Sequence, residues 1–368
     1  MSPNRRLRGR QLGVGLVEVM ISVVIGMLMV LVIYQIYEVS EGQKRTITAG
    51  SDAQQNAAFG LFALARDLSM AGNGVASSAI ALDKCTLAPG IPARAIPVVI
   101  KAGAGSADPD EITVFYGGSS SLSTGVPFMP PPPLSPPSSS TSYVVHAPIG
   151  FSQGDVVVAV QLGTGNCTLS TIDNVAVAVT GDATLTVTPV GGNRAATYAP
   201  GSTLVNLGPA RKMGRIVYSV DNSTNALRTQ RLLPPPADIP SPLVGDVINL
   251  KAQYGLDTNN DGVIDVWQEA TGAWDSAAVT ATPGPLLSTL QQIRAVRVAI
   301  VTRSAQYEKD PIKAGSPPNM AEGDLGLFCD PAPTCAYTMT LSADQQHYRY
   351  KILETVVPIR NALWNATP

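Results

Sequence analysis

The feature that most constrains this chain is an almost wholly apolar run near its N-terminus, from Gly13 to Tyr37. A helix needs about twenty apolar residues to cross a bilayer, so the run is long enough to span a membrane. It contains one carboxylate, Glu18, which costs at least about 2.5 kcal/mol within an inserted helix. We therefore expect this glutamate to have a function that offsets this cost.

The residues on either side of the run set its orientation. Arg5, Arg6, Arg8 and Arg10 precede it without any acidic residue, and such a basic cluster holds an N-terminus in the cytoplasm. The five residues directly after Tyr37, from Glu38 to Gly42, offer no A-x-A site for ordinary signal peptidase. Without the glutamate, these flanks would indicate an uncleaved signal anchor.

The short basic leader, Gly13 and an apolar helix with glutamate at its fifth position resemble the type III prepilin signal. Type IV pilins, minor pilins and type II secretion pseudopilins share this signal. The resemblance implies that prepilin peptidase cuts between Gly13 and Val14 and methylates the new N-terminus. Val14 departs from the phenylalanine that is usual there.

The resemblance also gives Glu18 a physical role. Cleavage frees a positive α-amino group at Val14, and the Glu18 carboxylate of a neighbouring subunit can neutralise it in a low-dielectric environment. Such a pair penalises any stacking that leaves one charge alone. We therefore expect Glu18 to be an assembly residue.

The periodicity beyond Tyr37 predicts that the helix continues to about Ala71. Apolar residues recur at helical spacing among polar ones: Ala53, Ala57, Leu61, Leu64 and Leu68. The domain prediction is a leader at 1–13, a membrane or filament-core helix at 14–37, its amphipathic continuation at 38–74, and a periplasmic β-rich domain at 75–368.

After Gly74 the residue pattern no longer indicates a helix and becomes typical of β-strands. Eight segments have the composition and alternation of strands: AIPVVI, EITVFYG, DVVVAVQ, TLTVTPV, GRIVYSVD, DVINLKAQYGLD, IRAVRVAIVTRS and YRYKILETVVPIR. A long helix followed by many antiparallel strands predicts an α+β fold. The Pro/Ser-rich stretch at 128–142 predicts an exposed inserted loop rather than a polyproline-recognition site. LLPPPADIPSPL, at 232–243, is interpreted as a connector between strands.

Three further segments, ARDLSMAG, YGLDTNNDGVIDVW and IRAVRVAIVTRS, resemble the PilW family of minor pilins in type IV pili. The resemblance implies a pilin-like fold and a subunit that primes filament assembly at or near the pilus tip, supporting piliation, twitching motility and adhesion. The implied partners are other minor pilins, the major pilin, the inner-membrane assembly platform, prepilin peptidase and a tip adhesin. The implied location is a single inner-membrane pass with a periplasmic domain, followed by the pilus tip.

The segment DTNNDGVID is the best candidate for a metal site. Its oxygen ligands would come from Asp257, Asn259, Asp261, the Val263 carbonyl and Asp265, and calcium takes six to eight oxygens in such loops. Position twelve is glutamine and no paired helix is evident, so the segment departs from an EF-hand. The same residues also suit a polar hairpin turn. We favour a structural Ca²⁺ site over that turn.

The chain has four cysteines, which permit three disulfide connectivities. All four follow the apolar run, in a compartment that we expect to be oxidising. Cys329 and Cys335 enclose a short loop, so we favour that pairing together with Cys85–Cys167. A metal site is the weaker alternative because no CxxC is present and His146 and His347 are isolated.

The sequence carries no GxSxG, HExxH or P-loop signature, so we do not expect an enzyme. The formal charge of −2 becomes more negative when the leader arginines are lost, and no basic stripe is present, so we do not expect nucleic acid as a partner. Two alternatives stay open: a tip pseudopilin of type II secretion, and a membrane-anchored periplasmic enzyme or binding protein, which would keep its N-terminus.

Overall fold

In the computed structural model, the first element is helix α1, Leu16–Met70. The structure describes residues 15–74, 96–119, 124–129, 138–146, 148–161, 166–178, 181–192, 197–199, 202–281, 287–312, 323–330 and 334–363. The chain divides into two compact units, residues 1–51 and 52–368, and α1 contributes to both. The predicted long N-terminal helix is confirmed.

Within the second unit, the C-terminal part of α1 buries one face. The buried positions recur every three or four residues, which is the spacing of a single helix face: Ala53, Ala57, Gly60, Leu64, Asp67 and Leu68. Gly60 permits a close approach, since a Cβ there would lie 3.2 Å from side-chain atoms of both Leu227 and Val244. Asn361 donates from Nδ2 to the carbonyls of Met70 and Ala71, which caps the end of the helix.

Two antiparallel sheets pack against this part of α1. The first has the order β1-β2-β9-β10-β11 and the second has the order β13-β12-β14-β17. The strands of the first sheet are β1 Val98–Lys101, β2 Glu111–Tyr116, β9 Gly214–Asp221, β10 Ala226–Leu233 and β11 Ser241–Gly245. The strands of the second sheet are β12 Val247–Leu256, β13 Val266–Glu269, β14 Ile293–Arg303 and β17 Tyr350–Pro358. A hairpin of β15, Asp324–Leu327, and β16, Tyr337–Thr340, covers the other face of the second sheet.

The main core lies between α1 and the two sheets. Leu64 and Leu68 of the helix join Ile112 and Ile216 of the first sheet and Ile300 of the second in one buried cluster. Burial of this apolar surface is the main source of stability for the unit, at about 25 cal/mol per Å². The described residues also form three short α-helices, Ser276–Thr280, Leu287–Leu290 and Arg360–Leu363, and two 3-10 helices, Gly272–Trp274 and Gln345–His347.

A third sheet is inserted between β2 and β9, which are neighbours in the first sheet. Its order is β3-β8-β5-β6-β7-β4. Its strands are β3 Val126–Pro127, β4 Ser142–Val145, β5 Asp155–Val160, β6 Cys167–Val177, β7 Ala183–Gly191 and β8 Thr203–Pro209. Phe128, directly after β3, bridges Val145 of β4, and the Met129 N–H donates to the Val144 carbonyl at 3.0 Å. The two edge strands therefore meet, and the sheet closes into a small barrel.

The barrel has its own interior and is joined to the first sheet by a second apolar cluster. Phe128, Tyr143 and Tyr198 contact one another inside the barrel, with ring centroids 5.3–5.8 Å apart. Outside it, Val158 and Leu207 pack with Phe115 of β2. The inserted sheet is therefore anchored to the rest of the second unit by burial.

All eight predicted strand segments contain strands, and the predicted α+β plan is confirmed. Two loop predictions need correction. The 232–243 connector is shorter than expected, because β10 runs to Leu233 and β11 begins at Ser241; β11 is an edge strand, where Pro242 is tolerated. In the 128–142 segment, Phe128 is buried in the barrel and Ser142 begins β4, while residues 130–137 lie outside the described part.

Candidate functional site

The first half of α1 is a candidate membrane or assembly site because its apolar surface is exposed. Leu16, Met27 and Tyr37 are among the large apolar side chains that are more than half exposed. Within the described residues, this helix is long and apolar enough to cross a membrane, and none of its most apolar window is buried inside the chain. An exposed apolar surface of this extent needs lipid or protein around it.

Glu18 lies in the first turn of α1, on this exposed surface. Its backbone N–H donates to the Gly15 carbonyl at 2.9 Å, and its carbonyl accepts from the Ser22 hydroxyl at 2.7 Å. Within the described part of the chain, its carboxylate has no hydrogen-bond or ion-pair partner. The predicted processing residues, Gly13 and Val14, lie outside the described residues.

The predicted calcium loop joins β12 to β13. Leu256 pairs with Val266, so residues 257–265 connect two antiparallel neighbours as a hairpin loop. Its turns are closed by side-chain acceptors: the Asp261 N–H donates to Asp257 Oδ1 and to Asn259 Oδ1, and the Val263 N–H donates to Asp261 Oδ1. Gly262 has a φ of +88°, which suits glycine in a sharp turn.

The charges of this loop already have partners within the chain. Asp257 is fully buried and accepts from Arg294 Nε at 3.0 Å and from the Gly262 N–H. Asp265 accepts from the Thr258 N–H and hydroxyl, and these hydrogen bonds lower the pKa of its carboxyl. The structure thus brings the five predicted ligands into one loop but gives Asp257 a guanidinium as its cation. Among the described residues, no group of three His, Cys, Asp or Glu side chains is arranged to hold a metal ion.

The three cysteines in the described part of the chain lie in two separate places. Cys329 and Cys335 form a disulfide, which is the pairing that the sequence favours. Cys167 is also disulfide-bonded, and its predicted partner, Cys85, lies outside the described residues. The Cys329–Cys335 link closes the loop between β15 and β16, next to the face of the second sheet.

The fold buries two basic side chains, Arg294 and Lys251, that were not predicted from the sequence as site residues. Arg294 and Lys251 are 6% and 1% exposed, and each pairs with a buried aspartate. Arg297 lies on the same strand as Arg294. A signal was present in the sequence, because these basic residues fall inside strands that are otherwise apolar, where an unpaired charge is costly.

Comparisons with known proteins add to this geometry. Residues 217–361 match the model of the family described as Type IV Pilus-assembly protein W. This segment contains β9 to β17 except for the first residues of β9, together with the predicted calcium loop and the Cys329–Cys335 disulfide. A solved type IV-like pilin from Thermus thermophilus is similar at 11% identity and a TM-score of 0.34, covering 84% of this chain and 96% of that one. A comparison with curated proteins gives no match.

Proposed function

We propose that this chain, which belongs to the PilW family of type IV pilus-assembly proteins through residues 217–361, is a minor pilin that primes filament assembly at or near the pilus tip. In this role it supports piliation, twitching motility and adhesion. The observation that carries the proposal is the exposed apolar half of α1 with Glu18 in its first turn, on a chain of this family.

The proposed order of events begins with cleavage between Gly13 and Val14 by prepilin peptidase. The apolar helix then anchors the subunit in the inner membrane with its β-rich domain in the periplasm. On extraction into a filament, the same exposed helix surface packs against neighbouring helices. Apolar contacts alone allow several axial positions, and the Glu18 carboxylate selects the one that meets a neighbour's α-amino group.

The proposed partners are the other minor pilins, the major pilin and the inner-membrane assembly platform, with a tip adhesin carried above them. A membrane-anchored enzyme or binding protein would use the same helix without cleavage and without subunit neighbours. A tip pseudopilin of type II secretion would share the cleavage but would support protein secretion instead of piliation. Loss of surface pili and twitching in cells lacking the chain, with secretion intact, distinguishes the proposal from both.

Glu18→Ala tests the assembly role directly. The substitution leaves cleavage largely intact, because the peptidase mainly needs the glycine and the apolar segment, and it removes a costly charge from lipid. Removing half of a buried ion pair costs about 3–5 kcal/mol, which lowers assembly by about two to four decades where the pair is fully buried. The measurement is recovery of the other minor pilins with full-length protein at matched membrane levels.

Ser22→Ala is the matched control, because Ser22 lies one turn further along α1 and donates only to the Glu18 carbonyl. We expect the control to recover partners as the wild type does. Equal recovery with Glu18→Ala would show that the carboxylate does not govern assembly.

A further inference from the structure

Strand β17 forms an open edge of the second sheet. It is nine residues long and lies last in the order β13-β12-β14-β17, and in the described part of the chain no strand pairs with its outer side. Val356 on this strand is 52% exposed. A long free edge is a template for pairing with another strand, so proteins usually cover it or use it.

The register with β14 identifies which backbone groups point outward. Ile359 donates its N–H to the Arg294 carbonyl, and Ser304 donates its N–H to the Arg349 carbonyl, at the two ends of an unbroken register. Hydrogen-bonded pairs alternate along antiparallel strands. The even-numbered residues of β17, including Ile352, Glu354 and Val356, therefore direct their N–H and C=O groups to the open edge.

A shallow cavity of about 280 Å³ opens beside this edge. Glu354, Thr355 and Val356 of β17 line one side of it, and Trp267 and Phe328 lie among its other lining residues. Its size suits one long side chain of a strand paired with β17. The cavity and the edge are thus continuous.

Arg297 also lines the cavity, and its guanidinium lies close to two of the aromatic rings there. The Arg297 Cζ lies 4.9 Å from the centroid of Trp267 and 4.5 Å from that of Phe328, and its Nε donates to Gln253 at 2.6 Å. Phe328 has a φ of +54°, directly before the disulfide at Cys329, and its N–H donates to Glu354 Oε1 at 2.7 Å. These contacts hold the cavity wall in place.

The charge of the cavity favours a cationic side chain. Asp330 and Glu354 line it together with Arg297. Two carboxylates thus share the cavity with one guanidinium, which leaves its lining residues with a net negative charge. A lysine or arginine there would gain charge-assisted contacts that a neutral side chain would not.

We propose that β17 is the docking edge for an extended segment of a neighbouring pilin-type subunit, which adds a strand to the second sheet and places a lysine or arginine in the cavity beside Glu354. The partner class rests on the proposed function. The main-chain hydrogen bonds supply affinity, and the acidic cavity selects the register of the incoming strand.

Amide hydrogen exchange at single-residue resolution tests this docking. The full-length protein is measured alone in detergent and in purified filaments that contain it. We expect the outward amides of Ile352, Glu354 and Val356 to exchange at least about tenfold more slowly in the filament. The amides of Leu353 and Thr355 face β14 and serve as internal references.

Two variants separate the edge from the cavity. Val356→Pro removes one outward donor, and Val356→Thr is its matched control, which keeps the N–H and the strand propensity. Glu354→Gln keeps an acceptor for Phe328 but removes the charge. We expect about tenfold less incorporation into filaments for Val356→Pro and for Glu354→Gln, with the threonine control unchanged and the Cys329–Cys335 disulfide formed in every variant.

Outward amides that exchange equally fast in filaments would overturn the docking proposal, and so would amides already slow in the isolated protein, since a segment of this chain would then cover the edge. Wild-type incorporation of Glu354→Gln would overturn the assignment of the cavity. Absence of the wild-type chain from all filaments would instead contradict the proposed function itself.

Discussion

At the scale of residues, the second unit depends on ion pairs taken out of water. Lys251 and Asp110 are each 1% exposed, and Lys251 Nζ donates to Asp110 Oδ1 and to the Gly105 carbonyl, both at 2.8 Å. Asp110 also accepts from the N–H groups of Gly103 and Ala252. The pair therefore fixes the loop between β1 and β2 against β12.

Lys251→Met should lower the free energy of unfolding by about 3–5 kcal/mol, because it leaves the Asp110 carboxylate buried without a counter-ion. Chemical denaturation of the full-length protein in detergent measures the change. Lys101→Met, at an exposed position, is the control and should change stability by less than about 0.5 kcal/mol. Adding Asp110→Asn to Lys251→Met should recover part of the loss. Equal effects at both lysines would contradict this role.

Asp67 on α1 is another buried carboxyl, and its burial makes stability depend on pH. Burial raises its pKa from the ordinary value of 3.8, although its hydrogen bond from the Tyr218 hydroxyl acts in the opposite direction. The folded state thus favours the neutral form. Its contribution to stability is fully present below the unfolded pKa and is lost as the pH rises through the folded pKa.

Asp67→Asn imitates the neutral carboxyl and keeps an acceptor for Tyr218. The Tm of this variant, relative to wild type, should therefore rise as the pH rises above the unfolded pKa of the carboxyl and level off above its folded pKa. Thermal unfolding at several pH values measures this difference. Asp238→Asn, at an exposed position that lines the same surface cavity as Asp67, is the matched control for the loss of a carboxylate. A difference independent of pH for Asp67→Asn would refute the assignment.

The sequence shows where charged residues occur along the chain, but it does not show which groups they contact in the folded protein. The alternation in DTNNDGVID indicated a loop with side-chain oxygens turned inward. It gave no sign that Asp257 would pair with Arg294, which lies on a strand far along the sequence. Such partners follow from the register of β12 on β14, and the register is set by burial of whole strands.

At the scale of elements, strands with strong alternation or continuous apolar runs were predictable, while those of the inserted barrel were partly missed. β6 and β8 mix Thr, Ser, Asn and Asp with apolar residues, because a small barrel turns alternate residues inward and the rest outward. Closure of the barrel through Phe128 and Val145 is a non-local pairing that no local pattern indicates.

The calcium prediction also belongs to this scale, because it concerns the loop between β12 and β13. Calcium that binds only the folded state raises its stability, by about 2.7 kcal/mol at a hundred times Kd. We propose that calcium raises the Tm of the wild type and not that of Asp261→Asn with Asp265→Asn. These substitutions keep the turn acceptors and remove the charges.

Asp344→Asn is the control for this loop, since Asp344 is exposed and its side chain makes no capping hydrogen bond. It should respond to calcium as the wild type does. An equal shift in all three proteins would assign calcium to another site. No shift in the wild type would leave Arg294 as the cation of the loop and the calcium prediction wrong.

At the scale of the whole molecule, two kinds of surface serve one proposed assembly. The exposed apolar surface of α1 suits a membrane or neighbouring helices, whereas in the described part of the chain the second sheet has an unpaired edge strand beside an acidic cavity. The inserted barrel precedes the segment that matches the PilW family. The apolar run and its glutamate could be predicted from the sequence because they are local features. The unpaired edge of β17 in the described residues could not, because it depends on the order of strands in the sheet.

The central claim is that the chain matures and assembles as a pilin, and the mass of its N-terminal peptide tests this most directly. The protein is purified from membranes of cells with active prepilin peptidase, beside a Gly13→Val variant in which a bulky side chain blocks the cut. The account predicts a wild-type chain that begins at Val14, carries a methyl group and lacks the thirteen-residue leader, and a variant that keeps it. Wild-type protein that begins only at Met1 or Ser2 would contradict the account.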